Sequence, residues 1–356
     1  MEKIKKVIDR ISEIDSGRMA RTQKRLDNLT KPIGSLGRLE ELAKRVAGIT
    51  GKENPDVEKK VIFTLAADHG ITEEGVSAYP REVTAQMVYN FLKGGAGINV
   101  LAKHAGVRVV VVDMGVAEKL KISGGGKNFK DKKIAFGTKN MAKGPAMTRA
   151  EAVKSIETGI ELAEEEIRKG IDIIGTGEMG IGNTTASTAL TAVFTNKPIE
   201  DLTGRGTGIS DHAYKNKIEM IKRALDINRP DPTDPIDVLS KVGGFEIGGL
   251  AGIILGAAAG KIPVVIDGFI SGAAALVAFK IEPKVKEYMI ASHCSAEKGH
   301  RIILEHMGLN PIFDLNLRLG EGTGAALGIS MVEAATKILT QMATFKEANV
   351  SEKTGG

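Results

Sequence analysis

The stretch Ile171-Asp-Ile-Ile-Gly-Thr-Gly-Glu-Met-Gly-Ile-Gly-Asn-Thr-Thr185 passes from an apolar β-branched run, through a glycine-rich turn, into a small-residue helix starting near Thr184. Working outward, the same order of short apolar run, glycine turn and helical periodicity recurs. The further runs are Val61-Ile-Phe-Thr-Leu65, Val107 to Val112, Ile262 to Ile266 and Tyr288 to Ala291. Continuous apolar strands alternating with helices are what a parallel sheet covered on both faces requires. The fold class is therefore α/β, and the strand in the quoted stretch is expected to end at Ile174.

Both chain ends read differently. Ile4, Val7, Ile8 and Ile11 form one helical stripe, and Leu36, Leu39, Leu42, Ala43 and Val46 form another beyond the turn Lys31-Pro32-Ile33-Gly34. Ala325, Ala326, Ile329, Val332, Ala335 and Ile338 keep helical spacing up to a polar tail. Residues 1–58 and 325–356 are thus expected to form a small helical domain beside an α/β domain at 59–324. The Lys- and Gly-rich stretch from Lys119 to Lys143, with Gly124-Gly125-Gly126, reads as a solvated loop.

Composition excludes several function classes. The 49 Lys+Arg and 44 Asp+Glu leave a net charge of +5 spread through 356 residues, too weak a bias for a nucleic-acid partner. Ile247 to Gly260 is the most apolar stretch, but glycines interrupt it and Lys261 and Pro263 stop it, well short of the ~20 residues of a membrane span. It is expected to be a buried helix with no membrane partner. The single Cys294 forms no internal disulfide, and the charged start lacks a signal-peptide core, so a cytoplasmic location is expected. Glycine is the outlier, 43 of 356 residues against a usual ~7%.

Ligands of an open parallel sheet bind beyond the carboxyl ends of its strands. Four glycine-rich turns occupy such places: Gly175 to Thr185, Gly204 to Gly208, Asp267-Gly268 and Gly320-Glu-Gly-Thr-Gly324. Glycine lets backbone N–H groups approach an anion, and a helix N-terminus adds partial positive charge. Gly175-x-Gly177-x-x-Gly180 matches a dinucleotide fingerprint, but no acidic residue ends a following strand. Gly177-x-x-x-x-Gly182-Asn183-Thr184 resembles a triphosphate loop whose lysine is replaced by Asn183. An anion cradle without either feature points to a monophosphate, with tight strand-to-helix packing as the ligand-free alternative. Glu321, between two glycines after Leu317-Arg318-Leu319, suits a general base or a helix cap. Glu178 lies in the cradle itself. His69, in Asp68-His69-Gly70, suits loop-fixing better than metal binding, because no second His or Cys pair accompanies it. Ser292-His293-Cys294-Ser295 fits ligand contact better than a nucleophile.

Taken together these segments resemble the nicotinate-nucleotide:dimethylbenzimidazole phosphoribosyltransferase family of cobalamin lower-ligand synthesis. The similarity runs in order through Lys31-Pro-Ile-Gly-Ser-Leu-Gly-Arg-Leu-Glu40, Ala67-Asp-His-Gly70, Gly75, Val83-Thr84-Ala85, Gly177-Glu178, Gly182-Asn-Thr-Thr185, Asn216-Lys217, Asp237 to Phe245, Asp267-Gly268-Phe269, Ser292-His293, Ser295-Ala-Glu-Lys-Gly299 and Arg318-Leu-Gly-Glu-Gly322. The resemblance implies a homodimer with a Rossmann-like parallel sheet, helices on both faces and a helical domain from both ends. It implies transfer of phosphoribose from nicotinate mononucleotide to 5,6-dimethylbenzimidazole or a related base, without cofactor or metal. It assigns the base role to Glu321 and places Glu178 as a second carboxylate. Phosphate and ribose contacts fall on Gly180, Gly182, Asn183, Thr184, Lys217 and Ser295. The aromatic base falls among Tyr79, Pro80, Met87, Met179 and Leu319. Tyr79 and Met179 are where the chain is expected to depart from relatives, which bears on base selectivity. The rival readings are a dinucleotide oxidoreductase and a non-catalytic nucleotide sensor.

Overall fold

Side chains of the strand Lys60–Ala67 (β1) alternate between two cores: Val61, Phe63, Leu65 and Ala67 enter one, Ile62 and Ala66 the other. A strand buried on both faces must lie inside a sheet with helices on either side. The computed structural model describes residues 1–122, 128–206 and 208–351 and contains that sheet. Its other strands are β2 (Arg108–Gly115), β3 (Phe129–Asp131), β4 (Ile173–Met179), β5 (Val264–Ile266) and β6 (Met289–Ala291). All six run parallel in the order β3-β2-β1-β4-β5-β6. The fold is α/β and Rossmann-like. Strand order reverses between β1 and β4, so the crevice beyond their carboxyl ends is the natural ligand site. Pairing of Ala66 with Met179 brings Asp68-His69 and Gly180 to that edge together.

β4 does not stop at Ile174. It continues through Gly175 and Gly177 to Met179, so two glycines expected in a turn are strand residues. The cause is close approach of the helix Thr323–Gln341. A β-carbon at Gly175 would fall 2.6 Å from Ile62 and 3.3 Å from Ala325, and at Gly177 it would overlap the Glu321 backbone. The turn shrinks to Gly180–Gly182. The Lys119–Lys143 stretch is also corrected in part, since Phe129–Asp131 pairs with Val111–Asp113 as the edge strand β3. Lys130 there is tied to Glu165, and Lys133 to Asp113 at 2.7 Å. Gly124, Gly125 and Gly126 lie outside the described residues.

The chain-end helices Ser16–Asp27, Arg38–Thr50 and Thr323–Gln341 pack on one another. Their Leu26, Leu42, Val46 and Val332 share one core with Ile62, Ile173 and Val265 of the sheet. The first helix, Glu2–Ile8, lies on the opposite face, with Ile4 and Val7 in the other core. The apolar stretch forms the buried helix Phe245–Ala259, whose glycines let it cross Arg149–Arg168 at backbone contact. Among the described residues no helix is long and apolar enough to cross a membrane.

Candidate active site

A cleft of about 550 Å³ opens at the reversal of strand order. Its floor is Glu178, the sixth residue of β4, which is buried at 6% exposure. The side-chain amide of Asn183 donates a hydrogen bond to Glu178 Oε2. Burial, with the nearby Asp267 and Glu246 carboxylates, pushes the Glu178 pKa up to about 8, so it carries its proton at neutral pH.

Glu321 is built by a different device. Gly320, Glu321 and Gly322 have φ of 81°, 65° and 99°, so a non-glycine residue is held in the left-handed region. That conformation persists only where surroundings over-determine it. Here Thr64 Oγ1 on β1 donates to the Glu321 carbonyl at 2.9 Å, while the Gly322 and Ala325 N–H groups donate to the two Asp267 oxygens at 3.1 and 3.0 Å. The carboxylate itself accepts the Ile98 N–H at 3.0 Å, at the N-terminus of helix Gly97–His104. Burial raises the Glu321 pKa and Asp267 adds to the rise, whereas the Ile98 N–H opposes it. The side chain is a carboxylate with its proton affinity lifted, and it lines the cleft together with the Gly180–Gly182 turn. It does not cap its own helix.

The other end of the cleft is formed by the turn Gly180–Gly182, feeding helix Asn183–Thr195. Ile181 N–H donates to Thr84 Oγ1 at 3.1 Å, and Gly182 has φ 92°. Thr184 stands on the wall. Lys217 lies beneath it, almost wholly buried, donating to Thr184 Oγ1 at 2.8 Å. Burial lowers its pKa to about 8, and Glu297 works against that. Ser295 also faces the cleft; its N–H donates at 2.9 Å to Nδ1 of His300, kept neutral because burial drops its pKa to about 3.

Met87 and Met179 make the apolar wall with Val76 and Val83, while Tyr79 and Leu319 stand at the mouth, 55% and 60% exposed. Pro80 is exposed and lies outside the lining. The cleft therefore gathers Glu178, Glu321, Gly180, Gly182, Asn183, Thr184, Ser295, Tyr79, Met87, Met179 and Leu319, with Lys217 one hydrogen bond behind. Sequence reasoning missed Asp267, Thr64 and Ile98 as the holders of Glu321, and Glu297 beside Lys217. A signal for Ile98 existed in Gly94-Gly95-Ala96-Gly97, where a β-carbon at Gly97 would fall 2.7 Å from Leu319.

His69 is the loop-fixing group: its Nε2 lies 2.5 Å from Glu246 Oε1 under the glycine turn. Burial opposes its positive charge, but Glu246 outweighs burial and the pKa rises. Cys294 is buried with its thiol pKa raised by burial, the reverse of an activated nucleophile. With Gly175 and Gly177 inside a strand, the dinucleotide fingerprint is a coincidence of spacing.

A glycine turn ahead of a helix N-terminus, two carboxylates of raised proton affinity and an apolar slot, joined at one sheet edge, fit a nucleotide-dependent group-transfer enzyme. The family described as Phosphoribosyltransferase matches residues 11–350. The nicotinate-nucleotide–dimethylbenzimidazole phosphoribosyltransferases of Geobacter metallireducens and Desulforudis audaxviator are 58% and 56% identical over 352 residues, with 99% of each chain covered. The crystal structure of CobT from Thermus thermophilus superposes with a TM-score of 0.90 at 44% identity, covering 95% of this chain and 100% of that one. The chain belongs to the nicotinate-nucleotide–dimethylbenzimidazole phosphoribosyltransferase family.

Proposed function

We propose that this enzyme transfers the 5-phosphoribosyl group of nicotinate mononucleotide to 5,6-dimethylbenzimidazole, giving α-ribazole 5′-phosphate and nicotinate in cobalamin synthesis. The observation that carries the mechanism is Glu321, a carboxylate held in the left-handed region with its proton affinity raised, lining the same cleft as the Gly180–Gly182 turn. The departing nicotinate ring nitrogen is already cationic and leaves without an acid. One base is sufficient. Dimethylbenzimidazole attacks the anomeric carbon through its unprotonated nitrogen, and Glu321 removes the proton from the other nitrogen as the bond forms. In-line displacement inverts the β-nucleotide to the α-product.

The 5′-phosphate is assigned to the Gly180–Gly182 turn, Asn183, Thr184 and Ser295, with Lys217 supplying charge from below. Fixing that end holds the sugar for in-line attack. Met87, Met179, Tyr79 and Leu319 are assigned to the flat base. Glu178, protonated at neutral pH, presents an acid rather than a second negative charge to the nucleotide. The working form is taken to be a homodimer, which light scattering checks. Incubation with nicotinate mononucleotide and dimethylbenzimidazole, followed by chromatography and mass measurement, tests the reaction. Formation of α-ribazole phosphate is expected, and nucleotide binding without turnover would mean a sensor instead.

A further inference from the structure

Glu297 stands where a phosphate site has least use for a carboxylate. It lines the cleft at 7% exposure, immediately before helix Lys298–Met307, and faces the glycine turn at 204–206. Oε1 accepts the Gly206 N–H at 3.0 Å, and the Glu297 N–H donates to Ser295 Oγ at 3.3 Å. Oε2 is buried with no hydrogen-bond partner among the described residues, pressed against Gly204 where no β-carbon would fit. A β-carbon on Gly206 would lie 3.0 Å from Thr184 Oγ1 and 3.5 Å from Lys217 Nζ. Thr184, Gly206, Lys217, Ser295 and Glu297 are therefore linked in one connected cluster.

We infer that Glu297 is a positioning residue for nucleotide binding, which pins the Gly206 turn against Thr184 and the buried Lys217 and sets the charge around that lysine. The inference rests on the phosphate assignment under Proposed function. Lys217 has its Nζ on a neutral hydroxyl, Thr184, and its pKa falls to about 8 through burial; Glu297 is the group that opposes the fall. Three further cations stand at this end. Arg205 bonds the Ile209 carbonyl and Asp211, Arg318 donates to the Gly206 carbonyl at 3.2 Å, and Lys298 lies 5.9 Å from the Tyr214 ring. Without Glu297, Lys217 would give up its proton at a lower pH, and a neutral amine holds a phosphate dianion poorly. The unpartnered Oε2 also repels phosphate directly, so loss of the charge acts in opposite directions on the two sides of the lysine titration.

The test is the affinity of nicotinate mononucleotide, measured calorimetrically from pH 6.5 to 9.5, in wild type, Glu297→Gln, Glu297→Ala and Lys217→Gln. Wild-type affinity should fall as pH rises through the Lys217 titration. Glu297→Gln retains an acceptor for Gly206 N–H, so its affinity should equal or exceed wild type at pH 6.5. Its alkaline fall should begin about one pH unit lower, raising KM at pH 8.5 while kcat at saturation changes little. Glu297→Ala also loses the Gly206 tie and should bind more weakly throughout. An alkaline limb unmoved in Glu297→Gln, with Lys217→Gln weakened, overturns the role of Glu297 alone. Lys217→Gln at wild-type affinity overturns the phosphate assignment as well.

Discussion

The backbone of Glu321 lies against the Cα of Gly177 so closely that a β-carbon at Gly177 would overlap the Glu321 carbonyl. Strand β4 and the loop bearing the proposed base are thereby set at one fixed separation. Gly177→Ala should push the 320–322 turn off the sheet and disturb the Thr64 bond to Glu321. The expected result is a fall in kcat well beyond what a loss of ~1–3 kcal/mol in stability explains. Thermal melts and steady-state rates on the same preparation check it; an unchanged kcat would show that Glu321 need not be held this tightly.

Glu321→Gln should reduce turnover by about 10²–10⁴ while nucleotide affinity stays near wild type, because the amide keeps shape but accepts no proton. The amide can still take the Ile98 N–H, so the helix Gly97–His104 should stay in place. Single-turnover rates at saturating substrate give the measurement. A near-normal rate would move the base elsewhere.

Much of this arrangement was legible in the residues. The β-branched runs marked five strands, since a strand covered on both faces needs an unbroken apolar run. β3 was hidden because Phe129–Asp131 is a short edge strand in a Lys-rich stretch, where polarity outweighs pattern. Glu321 stood out through its flanking glycines. Its holders did not, because Thr64, Ile98 and Asp267 act across the fold through one hydroxyl, one backbone N–H and one carboxylate. Gly175 and Gly177 looked like loop because a single sequence cannot distinguish a glycine that admits a ligand from one that admits another backbone.

Glu178 gives a stability prediction. Its folded pKa, about 8, lies above its ordinary value of 4.5, so its contribution is fully present below pH 4.5 and is lost as pH rises through about 8. Glu178→Gln, a neutral group of the same outline, should melt close to wild type at pH 5 and above it at pH 9. Melting curves at the two pH values decide it. Parallel behaviour would show that Glu178 ionises freely in the folded protein.

Two glycines separate binding from packing. Gly182 sits at φ 92° in the turn proposed to hold the phosphate, whereas Gly252 faces the Ile156 carbonyl across a helix crossing. Gly182→Ala imposes left-handed strain of ~1–2 kcal/mol and should weaken nicotinate mononucleotide binding at least tenfold. Gly252→Ala forces two helices apart and should lower stability by ~1–3 kcal/mol, with the folded fraction binding normally. Calorimetric titration beside melting curves distinguishes them, and normal binding by Gly182→Ala would remove this turn from the phosphate site.

The apolar slot sets the choice of base. Met179 follows Glu178, Met87 and Val83 complete the wall, and Tyr79 and Leu319 stand at an open mouth. Flexible methionine adjusts to rings of different outline and contacts their edges at ~0.3–1.5 kcal/mol. Shape rather than hydrogen bonding should then govern selectivity. Shape alone discriminates by only ~1–3 kcal/mol per missing methylene-sized group. Benzimidazole lacks two methyl groups, so it should still react, within roughly 10²–10⁴-fold of dimethylbenzimidazole in kcat/KM. Met179→Ala should narrow that gap, because the wall contacting the ring edge recedes. Competition between the two bases at equal concentration decides the matter: complete rejection of benzimidazole would mean that a polar group reads the ring, with Glu178, the nearest buried acid in the lining, the first residue to replace.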